Sequence, residues 1–392
     1  MENILRAPQI LLPGARFSLE KWAVVACDQF TSQPEYWQET QALAQGAPSA
    51  LNIVYPEAWL AQGDARIAEI NRTMEEYLHG VLTRQVDGYV LVERETSTGK
   101  RLGLVAEIDL AAYDYRPGSA PRIRATEGTI LERIPPRVKI RENAPLETPH
   151  AMLLADDPGR TLIEPLYARR DSFELLYDFD LMQGGGHIRG WRVDGAQNAQ
   201  IEEAARALEK EGLAFAVGDG NHSLAAARRC WELSGEPLAR WALVEIVNVY
   251  DEALVFEPIH RAVFGVDEKK LLEALKAQCG APDGQRVVVC KGKEKTELYF
   301  SQASSNLPVG TLQKFLDAYI EENGGRIDYI HGEEVVEELS AQEGNIGFLL
   351  EAMPKKELFK TVVLDGALPR KTFSMGHAWD KRFYMECRQI QE

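Results

Sequence analysis

A short stretch in the middle of the chain combines residue types that bind anions. Residues 218–223 read Gly-Asp-Gly-Asn-His-Ser and lie between the apolar segment 214–217 and an alanine-rich helical pattern. Glycine lets a ligand approach the backbone, and the first N–H groups of a helix attract phosphate or carboxylate. His222 adds a side chain that donates hydrogen bonds and exchanges protons near neutral pH. The stretch is consistent with an anion site, in which Asp219 or Asn221 is expected to cap the helix.

The same six residues also have an ordinary structural explanation. Asp and Asn commonly cap helices, glycines occur in turns, and a histidine at a helix start is often only a surface residue. The common nucleotide, zinc and serine-hydrolase patterns G-x-x-x-x-G-K-[ST], G-x-G-x-x-G, H-E-x-x-H and G-x-S-x-G do not occur in the sequence. The chemistry of these residues alone therefore leaves both interpretations open.

A second candidate is the segment 117–149, which is rich in Arg, Pro and Glu and is the most basic part of an acidic chain. Guanidinium groups match the geometry of phosphate and carboxylate, so Arg133, Arg137 and Arg141 are candidate anion ligands. Glu127, an acid placed among these arginines, is a candidate catalytic residue. The alternative is a solvated connector whose arginines pair with acidic residues of the same segment.

Composition excludes several classes of function. The net charge of −16 argues against a general nucleic-acid binder, because affinity for duplexes comes mostly from Lys and Arg. The 5 cysteines form no C-x-x-C pair and the 7 histidines are scattered, so neither a disulfide framework nor a zinc site is predicted. Signal-peptide features and apolar runs of roughly 20 residues are absent. We expect a cytoplasmic protein with a small-molecule substrate and no membrane partner.

Apolar periodicity predicts a mixed α/β fold. Residues 64–80 show helical spacing, and residues 88–95 and 101–110 predict a β-hairpin around a polar turn. Around residues 218–223 the predicted order is strand, helix, strand, glycine turn, helix and strand. In such segments a ligand lies at the carboxyl end of the strand, here the end of 214–217.

Length indicates more than one folding unit. At 392 residues the chain exceeds what one hydrophobic core usually supports, so two or three subdomains are expected. We predict an N-terminal α/β domain over 1–165 that contains the basic segment, a central domain over 166–265 that contains the 218–223 turn, and a C-terminal α/β domain over 266–392.

Three motifs resemble a known family. Residues 219–223 resemble the Asp-Gly-His-His-Arg hallmark of the domain-of-unknown-function-1015 family, a widespread prokaryotic group. The segment EPIHRAVFG at 257–265 is similar to that family's Pro-x-His-Arg segment, and LPRKTFS at 368–374 is similar to its closing Pro-x-Lys-Ser/Thr motif. Asn221 and Ser223 depart from the hallmark, which indicates a divergent subgroup.

The resemblance implies a ligand for the turn. The hallmark is similar to that of free L-serine kinases and, more distantly, of the ParB and sulfiredoxin superfamily, whose equivalent turn and helix start hold a nucleotide's phosphates. The central segment is therefore expected to be ParB/sulfiredoxin-like. By this resemblance Asp219, Gly220 and His222 contact the phosphates, together with Gly218, Asn221 and Ser223 of the same turn.

The departures from the hallmark change what is expected. Ser223 replaces an arginine that clamps phosphate, so another cation is required, and the basic segment is the leading source. Asn221 stands where a sulfiredoxin-like protein holds its reactive Cys, so peroxiredoxin repair is not expected. His260 and Arg261 match the second motif and are expected to close the site, although His260 also fits a partly buried strand residue bonded to backbone.

Two functions of different classes follow. The first is a small-molecule kinase of free-serine-kinase type that uses ATP or ADP with Mg²⁺ and phosphorylates a hydroxylated amino acid or metabolite. Its predicted catalytic residues are Asp219, His222 and Glu127. The second is a non-catalytic sensor or regulator that binds a nucleotide or an anionic metabolite and has lost activity. The sequence does not determine the substrate or the oligomeric state.

Overall fold

A computed structural model describes residues 3–116 and 118–391. Contacts between Cα atoms group the chain into two compact units: the first comprises 1–125, 129–254 and 376–392, and the second comprises 126–128 and 255–375. The three successive domains drawn from the sequence stay a prediction. Pro117, the first residue of the predicted basic segment, lies outside the described residues.

The first unit contains short and long helices, numbered here in chain order: α1 (Leu19–Trp22), α2 (Pro34–Ala44), α3 (Gly63–Gly80), α4 (Ile134–Arg141), α5 (Glu164–Tyr167), α6 (Asn198–Ala207) and α7 (Asn221–Ser234). The predicted helix over 64–80 is confirmed as α3. The basic segment is not a continuous loop, because Pro135 and Pro136 fit the first turn of α4, where a missing backbone N–H costs no hydrogen bond.

The first unit contains the strands that precede and follow the second unit in the chain. They are β1 (Leu5–Arg6), β2 (Gln9–Leu12), β3 (Val24–Val25), β4 (Arg84–Asp87), β5 (Val90–Thr96), β6 (Gly99–Asp109), β7 (Tyr113–Asp114), β8 (Ile123–Ala125), β9 (Leu146–Glu147), β10 (Met152–Ala155), β11 (Glu174–Asp180), β12 (His187–Arg192), β13 (Phe215–Asp219), β14 (Trp241–Asn248), β22 (Phe383–Tyr384) and β23 (Arg388–Gln389).

Ten of these strands form one mixed sheet within the described residues. Its order is β11-β12-β5-β6-β14-β10-β13-β8-β7, and β1 pairs with β6. The predicted hairpin is confirmed as the antiparallel pair β5 and β6. In the middle of the sheet β10 runs parallel to β14 and antiparallel to β13. Residues near 152, 219 and 245 are thereby brought side by side, although they are far apart in sequence.

Both faces of the large sheet are covered. Along β5, Val90 and Val92 pack into one hydrophobic cluster, whereas Leu91 between them packs into another. Successive side chains of a strand point to opposite faces, so a run of apolar residues serves two cores. The uninterrupted apolar pattern of these strands therefore reflects burial on both sides.

The second unit is built on an antiparallel sheet. Its strands are β15 (Phe256–Pro258), β16 (His260–Phe264), β17 (Gln285–Lys291), β18 (Glu294–Phe300), β19 (Arg326–Ile330), β20 (Asn345–Leu349) and β21 (Phe373–Met375), and its helices are α8 (Glu268–Ala277), α9 (Pro308–Asn323), α10 (Glu333–Ser340) and α11 (Lys355–Asp365). Five strands pair in the order β18-β17-β20-β16-β19.

The mixed α/β class predicted from sequence is confirmed by these two units. The helices of the described residues include none that is long and apolar enough to cross a membrane.

Candidate functional site

The turn between β13 and α7 consists of a single residue. β13 ends at Asp219, α7 begins at Asn221, and Gly220 joins them with a φ of 74°. A Cβ at Gly220 would lie 2.7 Å from the Cα of Ala151, on the neighbouring strand segment. Glycine is therefore required both for the left-handed backbone conformation and for the close packing.

Neither Asp219 nor Asn221 caps α7, so that expectation was wrong. The N-cap residue is Gly220, and no side chain among the described residues caps this helix end. The Asn221 side chain instead accepts a hydrogen bond from Tyr113 Oη at 2.7 Å and donates one to Thr129 Oγ1 at 2.7 Å. Asp219 Oδ1 accepts from the backbone N–H of Gly220 at 2.8 Å. The first-turn N–H groups of α7 are thus left without a side-chain acceptor in the described structure.

A lysine that sequence reasoning missed lies beside this turn. Lys381 Nζ is 3.1 Å from Asp219 Oδ2, and each side chain is 20% exposed. Lys381 comes from the chain's last segment, and its distance in sequence from the turn left no spacing pattern to detect. The only sequence signal for this lysine was the Lys/Arg-rich composition of the tail.

Buried arginines fix the backbone that carries Lys381. Arg94 donates from Nε to the carbonyl of Gly185 at 2.9 Å, from Nη2 to the carbonyl of Trp379 at 2.9 Å and from Nη1 to that of Lys381 at 3.3 Å. Arg101 donates to the carbonyl of Asp380 at 3.0 Å. Hydrogen bonds from charged groups to carbonyls are stronger than neutral ones, so this backbone is held firmly.

His222 is placed as a neutral donor. Its Nε2 accepts the backbone N–H of Ile130 at 3.1 Å, so the proton of the neutral ring lies on Nδ1. Burial, together with the positive charges of Arg137 and Arg133, holds its pKa below the usual value, although Asp28 acts in the opposite direction. Near pH 7 the ring is therefore uncharged and offers an N–H to a ligand.

A second acid–base group lies close to His222. His150 Nδ1 and Tyr384 Oη are hydrogen-bonded at 2.6 Å, and His150 Nε2 is 3.8 Å from Asp28 Oδ2. Burial opposes ionisation of Asp28, but His150, Gln29 and Lys381 together hold its pKa below the usual value. We refer to Asp28, His150, Asp219, His222 and Lys381 as the acid–base cluster.

Two of the three arginines predicted as anion ligands, Arg133 and Arg137, lie close enough to His222 to affect its pKa. Burial is the main cause of the lowered pKa of His222, and the charges of Arg137 and Arg133 add to it. Arg137 also forms an ion pair with Glu57, and Arg141 Nη2 pairs with the buried carboxylate of Glu147 at 2.6 Å. Their assignment as anion ligands stays a prediction.

A cavity of about 160 Å³ borders the acid–base cluster. Ser223, Leu224, Ala226 and Ala227 of α7 form one wall. Cys27, His150 and Tyr384 form part of its polar lining, and burial and the charge of Asp28 raise the pKa of the Cys27 thiol to about 12. Cys27 is therefore a protonated, unreactive thiol at neutral pH.

Glu127, His260 and Arg261 belong to the second unit. His260 is buried, and its Nδ1 accepts the backbone N–H of Leu350 at 3.1 Å, as the structural alternative anticipated. Arg261 is fully buried and donates to Gln313 Oε1 at 2.8 Å and to the carbonyl of Arg370 at 2.9 Å. Glu127 acts electrostatically on Arg261. Their role in a ligand site stays a prediction.

Within residues 3–116 and 118–391, no group of three or more His, Cys, Asp or Glu side chains is arranged to hold a metal ion. A Mg²⁺ ion that binds with a nucleotide needs only one or two protein carboxylates, because phosphates and water supply its other oxygens. Asp219, at the turn, fits that smaller requirement.

Comparison with known proteins gives distant structural neighbours. No curated protein matches the chain. A free serine kinase mutant in complex with ADP aligns with a TM-score of 0.40 at 13% identity, over 73% of this chain and 92% of that one. A conserved hypothetical protein from Pyrococcus furiosus gives 0.35 at 13% identity over 73% and 95%. SbnI with a C-terminal truncation, from Staphylococcus aureus, gives 0.36 at 13% identity over 69% and 82%.

A family model gives the broader match. The model described as "Protein of unknown function (DUF1015)" matches residues 11–319, which is well over half of the chain. The match includes the turn at 218–223 and the segment 257–265, two of the three motifs that carried the resemblance. The prediction from those motifs is confirmed, and the chain belongs to the DUF1015 family.

Proposed function

We propose that the protein binds a nucleotide, with the phosphates at the N-terminus of α7. The observation that carries this proposal is the uncapped first turn of α7 beside Lys381, whose Nζ lies 3.1 Å from Asp219. Backbone N–H groups at a helix start favour phosphate, and an ammonium group adds the positive charge that Ser223 lacks. His222 contributes the donor on Nδ1.

The finer proposal is a small-molecule kinase that transfers a phosphoryl group from ATP or ADP to a hydroxylated metabolite. The acceptor oxygen would form a bond to the terminal phosphorus while the bond from that phosphorus to the donor's bridging oxygen breaks. Asp28 is the carboxylate we assign to accept the hydroxyl proton, since it follows Cys27 in sequence and lies 3.8 Å from His150, and both of those residues line the cavity. Asp219 and Lys381 would position the phosphates.

Mg²⁺, when bound with the phosphates, supplies neutralisation of their charge. Asp219 is the residue that would hold it. In the structure this carboxylate pairs with Lys381. A nucleotide bound with Mg²⁺ would separate the pair, with its phosphate on the lysine and its metal ion on the carboxylate.

Thermal unfolding tests nucleotide binding, because a ligand that binds only the folded state raises the unfolding temperature. The protein is heated with ATP, ADP, AMP or phosphate, each with and without Mg²⁺. We expect a shift with one nucleotide that disappears in His222→Ala. The control is His79→Ala, an exposed histidine in the last turn of α3, which should retain the shift. Absence of a shift with every nucleotide would contradict the proposal.

A non-catalytic sensor is the second candidate, favoured by the neutral residue Ser223 and by the engagement of Asn221 with Tyr113 and Thr129. Both functions predict nucleotide binding, but only the kinase consumes the nucleotide. Phosphorus NMR of ATP or ADP with serine and other hydroxylated metabolites separates them. Turnover that is lost in Asp28→Asn while binding remains supports the kinase, and binding without any turnover supports the sensor.

A further inference from the structure

The cavity beside the acid–base cluster continues into an aliphatic chamber. Ile53, Val54, Leu60, Met74 and Leu243 line it together with the alanines of α7. These residues come from the segment that precedes α3, from α3 itself and from β14. A small-molecule site in a protein is usually such a concave, mostly apolar space with a few polar groups at defined positions.

Small residues keep this space open. Ala226 and Ala227 lie on the wall that α7 presents, and Ala242 of β14 lines the cavity as well. A longer side chain at Ala226 or Ala227 would occupy the chamber. The alanine-rich pattern that follows the turn therefore favours a helix and also leaves space for a ligand beside that helix.

The charged groups in the wall are already paired with one another. Arg137 pairs with Glu57, and Arg141 pairs with Glu147 at 2.6 Å. Glu147 also accepts from Arg388 Nε at 2.7 Å and from the backbone N–H of Leu243 at 2.9 Å. A polar group placed deep in the chamber would lose its water without gaining these partners, which is costly. The wall thus favours an apolar occupant.

We propose that the chamber receives the apolar body of the phosphoryl acceptor, so that the acceptor is an alcohol with about one aromatic ring or a branched aliphatic group. A volume of about 160 Å³ suits this size, since an apolar cavity of about 150 Å³ binds benzene. The hydroxyl group would face Asp28, His150 and Tyr384. The assignment as acceptor rests on the proposed function, whereas binding of an apolar alcohol does not.

The test uses 2-phenylethanol as the probe, L-serine as the polar comparison and ADP as a separate ligand, each titrated by NMR or calorimetry against the full chain. Ala227→Met fills the chamber and should weaken 2-phenylethanol binding at least tenfold. Unchanged binding to a folded Ala227→Met protein would overturn the proposal, as would L-serine binding as tightly as 2-phenylethanol.

A matched pair of truncations keeps the test decisive if Ala227→Met does not fold. Leu60 lines the cavity and is 45% exposed, whereas Leu43 of α2 is 43% exposed and lies outside the lining. Leu60→Ala should weaken 2-phenylethanol binding about threefold or more, and Leu43→Ala should leave it within a factor of 1.5. Equal effects of the two variants would overturn the proposal.

ADP separates this inference from the proposed function. If ADP does not bind but 2-phenylethanol binds with the expected variant pattern, nucleotide binding fails and the apolar site stands. If Ala227→Met abolishes ADP binding, the nucleotide's base occupies the chamber and the acceptor assignment is wrong. If ADP binding is unaffected while 2-phenylethanol binding falls, both proposals are supported.

Discussion

Two motifs that sequence assigned to one site use their polar groups differently. In the second unit, Arg261 is 0% exposed, donates to Gln313 and to backbone carbonyls, and lies 4.7 Å from the ring centre of Tyr329. In the first unit, the start of α7 has no side-chain cap in the described residues, and His222 presents an N–H. Motif residues that bond within the protein support its structure, whereas those with unused donors are candidates for ligand binding.

The largest expected effect concerns the motif residue whose donors are used internally. Arg261→Leu removes several hydrogen bonds from a buried cation and leaves carbonyl acceptors unsatisfied, which should lower the free energy of unfolding by roughly 3 kcal/mol or more. Urea unfolding measures this change. ADP affinity of the folded fraction should stay the same.

Arg326→Leu is the matched control for Arg261→Leu. Arg326 lies on the neighbouring strand β19, and its side chain is 67% exposed. It should lose less than about 1 kcal/mol, because an exposed arginine leaves no buried polar group behind. Similar losses in both variants, or a loss of ADP affinity only in Arg261→Leu, would remove the distinction between the two motifs.

A smaller effect is expected at the turn itself. Gly220→Ala places a Cβ 2.7 Å from the Cα of Ala151 and forces a side chain into a φ of 74°, so the free energy of unfolding should fall by about 2 kcal/mol or more. Gly235 at the other end of α7 has a φ of 70° but no atom within 4 Å of its Cβ position.

Gly235→Ala therefore isolates the cost of the backbone conformation alone, which is about 1 kcal/mol. The difference between the two glycine variants measures the packing of the turn against residue 151. Equal losses would show that this close approach does not constrain the turn.

Local sequence patterns predicted the turn well. A short apolar segment, a glycine turn and an alanine-rich helical pattern are local signals, and β13 and α7 have the expected order. The helix over 64–80 and the hairpin of β5 and β6 follow from equally local periodicities. The family was also accessible, because its motifs are short and ordered along the chain.

The rest of the acid–base cluster was not accessible to the same reasoning. Asp28, His150 and Lys381 come from three distant segments, and neither spacing nor composition relates them. β22 pairs with β3, and β10 pairs with β13, so long-range strand pairing sets where these segments lie. A single sequence carries no signal for such pairings. Sequence reasoning identified one segment of the site and missed the segments that surround it.

The cation that we propose to bind phosphate, Lys381, gives the next effect. Lys381→Met removes the ammonium group beside the uncapped helix start, and ADP affinity should fall about tenfold, or about 1.4 kcal/mol. Lys210→Met is the control, since Lys210 Nζ forms a comparable ion pair with Asp156 at 3.0 Å in the same unit. Calorimetric titration of both variants should show the loss only for Lys381. An equal loss in both would indicate a general effect of charge.

The smallest effect concerns the two histidines of the compared motifs. Burial lowers the pKa of His222 and also that of His260 relative to about 6.5 in an unfolded chain. Above that pH the histidines are neutral in both the folded and the unfolded state, so their protonation does not contribute to stability. As pH falls from 7 to 5 the unfolded state takes up protons more readily, so the free energy of unfolding decreases. Replacing either histidine with glutamine should make this decrease smaller.

Ligand binding separates the two histidines where stability does not. His222→Gln removes the Nδ1 donor at the turn and should weaken ADP binding at pH 7. His260→Gln should not, because His260 is buried within the second unit. Urea unfolding at several pH values with parallel ADP titrations measures both quantities. A pH dependence in His222→Gln as steep as in the native protein would mean that the ring is not held neutral by burial. Weakened ADP binding in both variants would mean that the two motifs act on one ligand.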